Sequence, residues 1–192
     1  YKGKEYEKAL GLYKRMADRA VSQEERVQAR TGAMRSAWMI KDYQEIVAMA
    51  SGLIAESKLT PELKNEAYYY RAKALLAEGQ SKEAMSDLSF LSKDTRNVYG
   101  AEAKYLLAQL YFNAGQTDKA EKEVLDYIEV STPHAYWLAR SFVLLSDVYM
   151  KLGRDLDARQ YLLSLQQNYQ ADDDIAGMIE TRLAKLNKGS KQ

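Results

Sequence analysis

Between Tyr105 and Val124 the chain reads YLLAQLYFNAGQTDKAEKEV, with apolar residues at helical spacing on both sides of a polar turn. Leu107, Leu110, Tyr111 and Ala114 precede the turn; Ala120, Val124, Leu125 and Ile128 follow it. Such spacing predicts two amphipathic helices rather than one. The turn recurs. GQTDKA at 115–120 has close counterparts in GRDLDA at 153–158 and GQSKEA at 79–84, with looser copies in KDYQEI at 41–46 and KEYEKA at 4–9. The closing residues Ala9, Ile46, Ala84, Ala120 and Ala158 are separated by steps of 37, 38, 36 and 38 residues. A fixed period of this size is the mark of a repeat architecture.

The residue types suit a helical hairpin. A glycine adopts the left-handed conformation that closes the first helix. The alanine five residues later lets the second helix lie close against the first. Ser22 with Glu25 forms a capping-box pattern, and Thr60-Pro61 and Thr132-Pro133 each offer an N-cap followed by proline at the first helical position. Asp172, Asp173 and Asp174 open a last helical segment with an acidic first turn and a basic last turn. The expected partition is a half repeat at 1–20, repeats at 21–58, 59–96, 97–132 and 133–170, and a C-terminal helix at 171–188. Lys4 holds the place of Gly79, so the first segment reads as a second helix without its partner, with Tyr6, Leu10, Tyr13 and Met16 on a partly uncovered face. The expectation is an excised piece of a longer protein with helical repeats upstream.

The pattern resembles the tetratricopeptide repeat (TPR) family. Its small and large positions are matched by Ala108 with Tyr111, Ser146 with Tyr149, and Ala72 with Leu75. Gly79, Gly115 and Gly153 follow, then Ala84, Ala120 and Ala158. The second repeat departs from the pattern, with Met34, Lys41 and Ile46 at the family's positions. The resemblance implies a single all-α domain, a right-handed α-solenoid of about four and a half hairpins plus a C-terminal helix. Because the steps exceed the usual period of about 34 residues, longer helices or connections are expected. Long repeats opening like STPHAYWLARSF resemble those of bacterial cell-envelope TPR proteins, such as the Tol-Pal coordinator and the outer-membrane barrel-assembly lipoprotein. That implies a periplasmic or outer-membrane-associated setting.

Composition narrows the function. Lys plus Arg is 28 against 27 for Asp plus Glu, a net charge of +1 that provides no global attraction for nucleic acid or an anionic membrane. No apolar run approaches the roughly 20 residues that cross a bilayer, so membrane insertion by this segment is not expected. With no cysteine, disulfides and thiolate chemistry are excluded. His134 is the sole histidine, and a metal site of HExxH or Cys/His type is absent. The run Asp172–Asp174 lacks the alternating ligands and glycine of a calcium loop. Neither a Walker A nor a dinucleotide fingerprint occurs, and no cofactor or catalytic residue is assigned.

What stands out is the aromatic content: 15 Tyr, 3 Phe and 2 Trp. In the TPR family the fifth position of each first helix tends to face the concave groove; here that position carries Thr31, Tyr69, Tyr105 and Val143. Neighbouring groove positions carry Arg35, Trp38, Lys73, Gln109, Phe112, Asn113, Asp147 and Met150. Aromatics among amides and mixed charges suit capture of a peptide or protein segment. The expected function is a non-catalytic protein-interaction scaffold. The competing reading is an RNA-binding helical-repeat module, although the groove positions are not the uniform Asn, Asp, Ser or Thr set that would read bases.

Overall fold

Each turn of the repeat closes with the same hydrogen bonds. The computed structural model describes residues 2–189. Gly79, Gly115 and Gly153 take φ values of 76°, 74° and 72°, and the backbone N–H of the following residue returns to the carbonyl of Leu75, Tyr111 or Tyr149 at 2.8–2.9 Å. These are Schellman closures, in which the left-handed residue lets two orphan carbonyls at the helix end find donors. The loose second repeat closes the same way, with Lys41 at φ 59° and Asp42 N–H donating to Ala37 O at 3.0 Å. Turn geometry is therefore kept where the glycine is not.

Two compact units result, one up to Leu91 and one from Ser92 on. In the first, α1 (Lys2–Arg19), α2 (Gln23–Ile40), α3 (Tyr43–Ile54), α4 (Pro61–Ala77) and α5 (Ser81–Leu91) pack each on the next. In the second, α6 (Val98–Asn113), α7 (Thr117–Glu129), α8 (Ala135–Lys151), α9 (Asp155–Asn168) and α10 (Ile175–Gly189) do the same, and α8 also packs on α6 and α10. The described residues contain no strand. The fold class is all-α, an array of antiparallel hairpins. The extra length of each repeat lies in the connections at 55–60, 92–97 and 130–134, which are longer than the turns within hairpins.

Burial follows the repeat register. Ile46, Ala84, Ala120 and Ala158, all on second helices, are fully buried, as are the small residues Ala72 and Ser146 on first helices. Ala33, Ala37 and Ala74 join Ile46 in one core of the first unit; Val124, Leu145, Leu162, Ile175 and Ile179 anchor the core of the second. Burying such side chains removes apolar surface from water at about 25 cal/mol per Å². Of the ion pairs in the first unit, Arg71–Asp87 has the most deeply buried carboxylate. Arg71 on α4 donates to both Asp87 oxygens on α5 at 2.8 and 2.7 Å, and to Ser51 Oγ on α3 at 3.0 Å. Asp87 is only 1% exposed, so the guanidinium is what makes its burial tolerable.

The helix starts agree with the sequence in two places and differ in two. Ser22 and Glu25 form a full capping box, and Thr60 caps α4 with Pro61 in its first turn. At Thr132-Pro133, however, the helix begins only at Ala135, with His134 in the capping position. The Thr132 hydroxyl is used elsewhere: it donates to Thr95 O at 2.7 Å and accepts from His134 N–H at 3.2 Å. Likewise the acidic run lies ahead of α10 rather than in its first turn. Asp173 accepts from Ile175 N–H at 3.0 Å, so it caps the helix from outside.

Along α1 the register breaks in a telling way. Ala9 is half-buried and Met16 is 45% exposed, whereas their counterparts one to four repeats on, Ile46 and Leu53 through Ala158 and Leu165, are buried. Leu12 is 57% exposed. Two of the residues expected on an uncovered face turn toward α2 instead. Leu10 is buried in the core that contains Ala33 and Ala37, and Tyr13 packs against the same core. The open face is Ala9, Leu12 and Met16.

Candidate protein-binding faces on the first helices

In the first unit the candidate residues come from α2 and α4. Trp38 on α2 stacks on Tyr70 of α4, with ring centroids 4.4 Å apart and planes 4° from parallel. Tyr69 flanks the pair at 6.3 Å from Trp38, and the Lys73 ammonium lies 5.8 Å from the centre of the Tyr69 ring. All four side chains are half-buried. Arg35 on α2 grips Glu66 on α4 through two bonds of 2.7 Å, and its side chain stays 58% exposed. Thr31 turns its hydroxyl inward, donating to Val27 O at 2.7 Å. Thr31 and Arg35 line a cleft of about 470 Å³ together with Tyr13, Gly32 and Leu63.

In the second unit the residues divide by depth. Tyr105 and Val143 are buried in the core cluster. Arg140 on α8 explains the position of Tyr105. It donates to the Tyr105 hydroxyl at 3.0 Å and lies 5.0 Å from its ring, while bonding Tyr136 at 3.1 Å and Asp174 at 3.2 Å. Gln109, Phe112 and Met150 are half-buried and Asn113 is exposed. The Lys151 ammonium stands 5.3 Å from the centre of the Phe112 ring. Asp147 is held by α10, whose Arg182 donates to both its oxygens at 2.8 and 2.6 Å.

Among the participants that escape a reading of the hairpins alone are Tyr70, Arg182 and Leu186, the last lining a cleft with Phe112 and Met150. Leu186 had a signal in the spacing. Phe112, Met150 and Leu186 are separated by 38 and 36 residues, the steps of the repeat itself, so α10 carries the first-helix register although no second helix is described after it. Tyr70 had no such signal, because the choice between Tyr69 and Tyr70 as the partner of Trp38 depends on helix rotation.

The remaining polar residues singled out in the sequence have structural partners. His134 Nε2 donates to Arg96 O at 2.9 Å, tying the α7–α8 connection to the segment before α6. Asp173 accepts from the Tyr169 hydroxyl at 2.6 Å; burial first, and then this bond, push the Tyr169 pKa up to about 12.

No family model matches the chain, and no curated protein matches it. Among solved structures, it is similar to nearly identical TPR-like repeats described as a putative kinesin light chain of Podosopora anserina, at a TM-score of 0.62 and 17% identity, over 84% of this chain and 85% of that one. The fold is that of TPR-like repeats. Stacked helical hairpins of this kind present extended surfaces in series.

Proposed function

We propose that the chain is a non-catalytic protein-binding module that captures a peptide or protein segment on its first-helix faces. The observation that carries this reading is the half-buried aromatic set of Trp38, Tyr69 and Tyr70 beside the exposed, positioned guanidinium of Arg35. Rigid aromatics offer large contact area at small entropy cost, and an arginine fixed by a carboxylate is pre-organised. Thr31 and Lys73 border this set in the first unit. In the second, Gln109, Phe112, Asn113, Asp147 and Met150 form the corresponding face over Tyr105 and Val143. Repeats opening like STPHAYWLARSF support a role in bacterial cell-envelope assembly, which fractionation of the source cells tests.

The experiment is capture with the intact protein, followed by binding and melting measurements on variants. Phe112→Ala is expected to weaken the captured partner by roughly 1–2 kcal/mol, as hot-spot truncation does. Tyr111→Ala, one residue away, is expected to change melting more than binding. Equal effects of both on melting, with binding unchanged, would contradict the proposal.

A further inference from the structure

The face of the second unit contains a cleft of about 610 Å³ lined by Phe112, Met150 and Leu186, with Lys151 and Lys185 at its edge. We infer that this cleft takes an acidic peptide segment carrying one large apolar side chain, an inference that rests on the protein-binding role proposed above. The apolar part follows from the register. Phe112, Met150 and Leu186 occupy equivalent places on α6, α8 and α10, so three successive helices supply one apolar floor. The volume lies in the range of about 300–1,000 Å³ typical of ligand sites.

Charge complementarity selects the rest of the occupant. Two carboxylates border the cleft, Asp147 and Asp155. Asp147 is neutralised by both bonds from Arg182. Lys151 faces the Phe112 ring, and neither Lys151 nor Lys185 forms an ion pair among the described residues. Two ammonium groups thus stand against the single carboxylate of Asp155. A carboxylate on the ligand gains a partner at either lysine, while a ligand lysine meets repulsion. Both lysines are exposed, so the attraction weakens with salt.

The test uses fluorescence anisotropy with four labelled short peptides in one Gly/Ser frame: leucine with flanking glutamates, leucine with flanking lysines, serine with flanking glutamates, and leucine with flanking serines. The leucine–glutamate peptide is expected to bind about tenfold or more tightly than each of the others, a difference of about 1.4 kcal/mol. Lys151→Glu with Lys185→Glu is expected to reverse the preference toward the leucine–lysine peptide at an unchanged melting midpoint. Equal binding of all leucine peptides, abolished by Phe112→Ala, would overturn the acidic partner and leave the protein-binding role standing. Binding of none of the peptides would overturn this inference, while the captured partner's response to Phe112→Ala separately judges the role itself.

Discussion

Lys41 is the one described residue other than glycine with positive φ, at a turn where the other three repeats place glycine. A side chain in the left-handed region costs about 1–2 kcal/mol, partly offset by glycine's larger entropy loss on folding. Lys41→Gly should therefore raise the denaturation midpoint, by up to about 1 kcal/mol in stability. Spacing locates this turn without its glycine. The opposite case is Gly32, in the interior of α2, where alanine would ordinarily be favourable by about 1 kcal/mol. A Cβ there would lie 2.4 Å from the Tyr13 ring. Gly32→Ala should destabilise by roughly 1–3 kcal/mol, as overpacking does, and chemical denaturation measures it. That contact is illegible in the sequence, because it depends on how α1 lies across α2.

Helix pairs test the register itself. Ala120→Leu and Ala158→Leu force large side chains into fully buried sites and should each cost about 1–3 kcal/mol. Lys82→Ala, at an exposed position, should stay within about 0.5 kcal/mol. Denaturation midpoints that treat all three alike would refute the hairpin register. Asp87→Ala should cost more, about 3–5 kcal/mol, since it strands the Arg71 guanidinium. The alanines are legible from their spacing; the Arg71–Asp87 pair is not, because both residues look like members of a solvated charged face. The open face of α1 provides a further test. A first helix copied from residues 135–153 and joined ahead of Glu5, so that its glycine takes the place of Lys4, should slow amide exchange along α1, with Met16→Glu removing the gain.

At the scale of the molecule, periodicity makes the hairpin architecture readable, since turn and closing residue recur where the backbone needs them. The faces are less readable. Register places Trp38 and Phe112 on them, yet Tyr105 is buried because Arg140 and Trp137 cover it, and Asp147 is claimed by Arg182 on a helix whose register the turns do not reveal. The central claim is that protein partners meet the first-helix faces. Hydroxyl-radical footprinting of the protein with and without its captured partner tests this most directly. The expected result is protection of Trp38, Tyr69, Phe112 and Met150, with Leu156 and Leu163 on α9, 84% and 41% exposed, as reactive as before. Protection of Leu156 and Leu163 with those four unchanged would contradict it.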